Sequence, residues 1–268
     1  MNFLVPYIKF GIKVSSTEAS RAYLAALQAV GAQISRVQRN LIHSFFVLGE
    51  AQGWLAGIQR LVLPVWNSAA ANSICAATLE IMIFQGSVSH SGRKIKSTGG
   101  YLDSLINPIT ASLTYNNCSF GAYTLTSPDD SPNAFDMGAR LDGASQASIL
   151  ALNYGGSSYA AAGVTPGVGN YIVSATIGAG LYTFNASFTG QKLYFNSSEI
   201  GSRGANSGPL ANRNIWMMRS NNADSGAPNP ATKEYAAFFI AKDWTNPLAT
   251  QFSTALYNLI SGLRENLA

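Results

Sequence analysis

Tyr171-Ile172-Val173-Ser174-Ala175-Thr176-Ile177, Leu181-Tyr182-Thr183-Phe184-Asn185-Ala186-Ser187-Phe188, Lys192-Leu193-Tyr194-Phe195-Asn196, Asn214-Ile215-Trp216-Met217-Met218-Arg219 and Glu234-Tyr235-Ala236-Ala237-Phe238-Phe239-Ile240-Ala241-Lys242 crowd one stretch of the chain. Each run is short, rich in aromatic and β-branched residues, and bounded by Gly, Asn, Ser or Pro. That pattern predicts an antiparallel sheet, built into a sandwich. Side chains alternate with period two along a strand. A one-residue slip would turn every core residue to the wrong face, so these runs set the register of the fold.

Working outward, composition bounds the rest. The chain has 268 residues, of which 47% are hydrophobic and only 11% charged. That is enough for one large β domain of roughly 200 residues with an appendage, and it excludes a disordered chain, which needs low hydrophobicity and high charge. Low charge with abundant Gly, Ser, Asn and Ala suits an extracellular or virion protein. No apolar run approaches the roughly 18 residues of a membrane span. Pro6, Lys9 and Lys13 interrupt any signal-peptide core near the start.

The formal charge of +4 is unevenly placed. Residues 1–60 hold six bases (Lys9, Lys13, Arg21, Arg36, Arg39, Arg60) against two acids, Glu18 and Glu50, and the remainder is balanced. The basic segment either docks on an acidic partner surface, with Lys9, Lys13, Arg21, Arg36 and Arg39 as assembly contacts, or is an ordinary solvated helix face. The neutral remainder gives no footprint for nucleic acid. Cys75 and Cys118 lie in different expected elements and read as free buried thiols.

Ile8, Phe10, Ile12 and Val14 alternate with Lys9, Gly11 and Lys13, as in a half-exposed strand or an extended arm. Ser15 with Glu18, and Ser35 with Gln38, form capping-box patterns that open two amphipathic helices. Leu61-Val62-Leu63-Pro64 is demoted by its proline to an edge strand or strand end. Leu79 to Phe84 reads as a strand, Val88 to Lys96 as a polar loop, and Ala134–Leu141, Ser148–Tyr154 and Ser158–Ala162 as further strands. Asn246 caps a last helix with Pro247 at its first position. The expected division is an arm and helical hairpin over 1–57 and a sandwich over 58–268.

Ala236 to Lys242, followed by Leu256-Tyr257-Asn258-Leu259-Ile260-Ser261-Gly262-Leu263, resembles the tail of concanavalin A-like (laminin G-like) domains in bacteriophage virion proteins. Tyr101-Leu102-Asp103 before Asn107-Pro108, Asn116 to Gly121, and Asn214-Ile215-Trp216-Met217 to Asn221 resemble other pieces of that family. Ala25 to Gly31, Trp54 to Ile58 and Leu61 to Trp66 resemble its helical lead-in. The likeness spans roughly 16–265; Asn196-Ser197 stands where the family often has Asn-Gly in a hairpin. The resemblance implies a mostly β concanavalin A-like jelly-roll sandwich in a non-enzymatic virion protein made in the bacterial host cytoplasm. Its partners would be other virion proteins, further copies of itself and a host-surface glycan. A purely architectural capsid or tail component is the alternative, and a polysaccharide-degrading enzyme the third reading.

The chemistry-bearing residues are sparse. Glycosidases of this architecture place paired carboxylates on one strand face, whereas Glu80 and Glu199 stand alone and Glu234 and Asp243 have incompatible spacing. His43 and His90 match no zinc pattern, and the glycine-rich stretch 163–169 lacks the Lys-Ser/Thr of a phosphate loop. No residue is expected to be catalytic. Asp129, Asp130 and Asp142 either ligate calcium, the one cofactor the sequence admits, or make Asx-turns. Tyr194, Trp216, Arg219, Asn221 and Asn222 supply the aromatic platform and planar polar groups that a sugar needs, or else belong to the core.

Overall fold

The computed structural model describes residues 16–126, 135–141, 146–154, 156–163, 171–175, 178–204, 208–222 and 231–266. In chain order the elements are helices α1 (Ser16–Ala29) and α2 (Arg36–Gln52), strand β1 (Ile58–Val62), the short helix α3 (Ala69–Asn72), and strands β2 (Ile83–Gln85), β3 (Val88–Ser91), β4 (Lys94–Ser97), β5 (Tyr101–Asp103) and β6 (Cys118–Thr124). There follow β7 (Met137–Leu141), β8 (Gln146–Tyr154), β9 (Ser157–Ala162), β10 (Ile172–Ser174), β11 (Gly180–Ser187), β12 (Gly190–Phe195) and β13 (Ser198–Arg203). Strands β14 (Trp216–Met217), β15 (Ser220–Asn222) and β16 (Glu234–Ala241) and helix α4 (Asn246–Glu265) complete the chain.

The strands form two sheets packed face to face as a jelly-roll sandwich. The first runs β13-β12-β11-β6-β16-β4-β3, with β1 also on β16; the second runs β10-β9-β8-β7-β14-β5-β2, with β15 also on β7. Pairing is antiparallel except between β15 and β7. In the first sheet Phe184 faces Phe120 and Phe120 faces Ile240 across neighbouring strands. These residues, with Tyr182 and Phe238, meet Met137, Leu150, Leu152 and Met217 of the second sheet in the central core.

The alternate residues of the first sheet do not reach water. Tyr123, Leu181, Tyr194, Ala237 and Phe239 pack into a second core with Tyr23 and Leu27 of α1, Ile42, Phe45 and Phe46 of α2, Trp54, and Phe252, Leu256, Leu259, Ile260 and Leu263 of α4. The sheet is therefore buried on both faces. This is why β16 reads as the unbroken apolar run Tyr235 to Ala241 instead of alternating. Gly121 on β6 makes room for its neighbours in the same sheet, since a Cβ there would strike the Phe239 ring of β16 and the Tyr182 carbonyl of β11.

Local signals explain the helix ends. Ser35 and Gln38 form the expected reciprocal capping box, and Gly53 closes α2 in the left-handed conformation at φ 84°. Helix α4 starts one residue earlier than expected, with Thr245 at the cap and Pro247 in the first turn. The Ser15 pattern and the alternating arm before it lie outside the described residues. The helical hairpin packs against the sandwich and shares one core with α4 and the first sheet.

Several expectations are corrected. Residues 88–96 are not a loop but most of the β3–β4 hairpin, whose polar residues line the edge of the sheet. The polar run 198–203, which falls in no expected strand, forms the edge strand β13, paired with β12. The strand expected over 79–84 shrinks to Ile83–Gln85, because Leu79 takes a positive φ of 61° and the chain turns there. β10 covers only Ile172–Ser174. Cys75 and Cys118 are free and buried, and burial pushes the Cys118 thiol up to about 12.

Candidate functional site

The outer face of the second sheet carries no helix among the described residues: no residue of its strands joins the helical core. Alternation assigns its side chains. On β5, Leu102 turns inward while Tyr101 and Asp103 turn outward; on β14, Met217 turns inward and Trp216 outward. Trp216 sits opposite Asp103 on one side and Gly138 on the other. Gly138 approaches β8 so closely that a Cβ would strike the Ser148 carbonyl, and the Ile149 side chain covers it.

Tyr101 and Trp216 stack, with ring centroids 3.9 Å apart and planes inclined by 20°. Both are half-buried, presenting aromatic surface and polar tips at once. Arg219 lies beside them, half-buried. Burial raises the Tyr101 hydroxyl pKa, the Asp103 charge raises it further, and Arg219 opposes both. Burial lowers the Arg219 guanidinium, offset in part by Tyr101. The Asp103 carboxylate accepts from the Leu105 backbone at 2.8 Å and from Asn214 Nδ2 at 3.1 Å. Further along the face, Tyr159 and Tyr171 meet edge to face at 6.3 Å, and Phe135 and Tyr171 pack on Ile149 and Ala161.

Of the residues expected to bind a sugar, Trp216 and Arg219 come together. Simple alternation would have placed them on opposite faces. Met218 takes a positive φ of 68°, which breaks the strand so that Met217 and Met218 both turn into the core. Tyr194 does not join them. It lies on β12 of the other sheet, 4% exposed beneath α4, and burial raises its hydroxyl pKa. Asn221 is 8% exposed and donates to the Asn214 carbonyl at 2.9 Å, which makes it a brace for the β14 approach. Asn222 ends β15.

Asp129, Asp130, Asp142, Lys9 and Lys13 lie outside the described residues. Among the described residues no group of three or more His, Cys, Asp or Glu is placed to hold a metal. Arg21, Arg36 and Arg39 are exposed on α1 and α2, away from the open face. Among the described residues no helix is long and apolar enough to cross a membrane.

One cluster was missed. Asp136 and Lys233 are both 0% exposed and form an ion pair between the sheets, with Nζ 2.9 Å from each carboxylate oxygen. The Leu152 backbone donates to the same carboxylate at 2.6 Å, and the Tyr235 hydroxyl donates to it as well. The available signal was Asp136 lying between Phe135 and Met137, a lone acid in an apolar run. The pair is sealed in the core beneath the Trp216 strand, so it supports the site without reaching it.

The chain matches no protein-family model and no curated protein. It resembles solved structures in fold. Botulinum neurotoxin type C, described as interacting with two ganglioside molecules, matches at 11% identity over 78% of this chain and 53% of that one, with a TM-score of 0.51. The botulinum neurotoxin serotype D binding domain matches at 12% identity over 77% and 52%, with a TM-score of 0.49. Domain 4 of the extracellular arabinanase AbnA from Geobacillus stearothermophilus, in complex with arabinotriose, matches at 13% identity over 73% and 100%, with a TM-score of 0.40. The chain spans about half the length of the toxin chains it resembles.

Proposed function

We propose that this protein is a non-enzymatic glycan-binding module that takes its ligand on the open face of the second sheet. The observation that carries this reading is the stacked Tyr101–Trp216 pair beside Arg219, Asp103 and Asn214 on a sheet face that carries no helix among the described residues. A sugar ring offers an apolar C–H face and a rim of hydroxyls. Aromatic rings suit the first, and a guanidinium, a carboxylate and an amide suit the second. The toxin fold is compatible with such a role, although fold alone does not assign it.

The non-enzymatic part rests on the carboxylates. Glycoside hydrolysis by the usual route uses two of them, about 5–9.5 Å apart across the scissile bond. Asp103 is the one carboxylate on the described strands of the second sheet, and it is already hydrogen-bonded to Leu105 and Asn214. Display on a bacteriophage particle is the setting implied by the family resemblance. There, residues 1–57 would mount the protein through Arg21, Arg36 and Arg39, leaving the open face outward.

The test is a glycan array and host-cell binding with the intact chain and with Trp216→Ala. The wild type should bind one glycan class, and the variant should lose at least about tenfold in affinity, the equivalent of 1.4 kcal/mol. Equal binding by both proteins would refute the site. A discrete oligomer that binds no glycan would instead establish the architectural role.

A further inference from the structure

On the helix-covered side, a cleft of about 450 Å³ opens where the β3–β4 hairpin meets the C-terminal turn of α4. Asn67, Arg93, Lys94, Leu125, Glu234 and Arg264 line it. The hairpin tip is seated by Gly92, where a Cβ would stand 2.5 Å from Asn67 Oδ1, so the turn rests on the Asn67 amide. Lys94 Nζ pairs with Glu234 Oε1 at 2.6 Å. Three cationic side chains thus share the cleft with one carboxylate, and the half-buried Leu125 supplies an apolar patch.

Arg264 adds a more specific signal. Burial raises the Tyr123 hydroxyl pKa, and Ser261 and the Arg264 guanidinium beside it act in the opposite direction. The Arg264 Nε is buried and has no hydrogen-bond partner in the protein. We propose that the cleft binds a small ligand bearing an oxyanion (a carboxylate, sulfate ester or phosphate ester), with Arg264, Arg93 and Lys94 supplying the attraction. The volume suits a molecule the size of a monosaccharide. This site is independent of the open face of the second sheet.

Isothermal titration of the intact protein tests this with glucuronate, inorganic sulfate, inorganic phosphate and neutral glucose as probes. Saturable binding of glucuronate and of at least one inorganic anion, with none of glucose, is expected. The tightest probe then identifies a sugar carboxylate or an ester as the natural source. Arg264→Gln should weaken binding at least about tenfold, as expected for the loss of one charge-assisted hydrogen bond. Glu234→Gln should tighten it several-fold, a sign that mere structural damage would not produce. Trp216→Ala should leave anion affinity unchanged, which separates failure here from failure of the glycan face. No saturable binding of any anion, or Arg264→Gln binding as well as wild type, overturns the proposal. If Arg264→Gln fails to fold, as judged by its thermal melt, Glu234→Gln decides alone: tightening supports the site, and unchanged or weaker binding overturns it.

Discussion

On the first sheet, side chains that turn away from the sandwich core meet helices; on the second, Tyr101 and Trp216 stay half-exposed, while Ile149 and Ala161 are buried under Phe135 and Tyr171. Phe239 and Tyr194 point outward from β16 and β12 just as Trp216 and Tyr101 do from β14 and β5. Yet Phe239 and Tyr194 are sealed beneath α2 and α4, while the Trp216–Tyr101 pair stays half-exposed. Aromatic residues therefore serve packing on one face and, in the proposed function, recognition on the other. What decides is the presence of a covering layer, which no single strand encodes.

Breaking what both sheets share should have the largest effect. Asp136→Ala leaves Lys233 buried and unpaired, and should cost about 3–5 kcal/mol in urea denaturation. The double replacement Asp136→Leu with Lys233→Met should recover most of that loss, because it removes both charges. Next comes the covered face. Phe252 touches Phe45, Trp54, Phe239 and Trp244, so Phe252→Ala should cost about 3–5 kcal/mol. On the open face, Tyr101→Ala removes a stacked pair and should cost only about 1 kcal/mol of stability, while weakening glycan binding. Equal stability losses for Phe252→Ala and Tyr101→Ala would erase the contrast between the faces.

A smaller effect, of opposite sign, lies in the β12–β13 turn. Asn196 and Ser197 both take positive φ, 47° and 73°, and connect the paired residues Phe195 and Ser198. That is the mirror-image turn in which Asn-Gly is preferred. Ser197→Gly should therefore stabilise by up to about 1 kcal/mol, less whatever the Ser197–Thr254 hydroxyl contact contributes. The smallest effect concerns pH. Burial lowers the His90 pKa below its ordinary value, and His90 Nδ1 lies 3.1 Å from the Asn72 amide nitrogen, which requires it to be an unprotonated acceptor. The unfolded chain then binds the proton more readily. Stability should fall modestly as pH drops from the ordinary histidine pKa toward the lowered one, and His90→Gln should flatten that part of the profile.

Legibility in the sequence followed burial. The strands of the first sheet, enclosed on both faces, announce themselves: Tyr235 to Ala241 is apolar without interruption, and in Leu181 to Ala186 only Thr183 and Asn185 are polar. Edge strands did not, because among the described residues one side of each pairs with no strand and their residues are mostly polar, as in Ser198–Arg203 and Val88–Ser91. Trp216 and Arg219 were picked out from residue type alone. Their shared face was not legible, because it depends on the left-handed turn at Met218. Nor was the pairing of Trp216 with Tyr101, which needs the register of strands far apart in the chain. Tyr194 was misplaced for the complementary reason: an aromatic residue in a strand does not say which layer lies above it. Asp136 and Lys233 went unseen because a buried ion pair and a surface charge look alike until the partner is known.

The most direct measurement uses the uneven burial of the four tryptophans. Trp54, Trp66 and Trp244 are 0%, 2% and 4% exposed, whereas Trp216 is half-exposed on the open face. Acrylamide quenching of tryptophan fluorescence, with and without a glycan that the array identifies, should therefore report on Trp216. Saturating glycan should protect the quenchable fraction, and Trp216→Phe should abolish both that fraction and its protection. Glycan that binds with full affinity while Trp216 stays as quenchable as before would contradict the assignment of the open face.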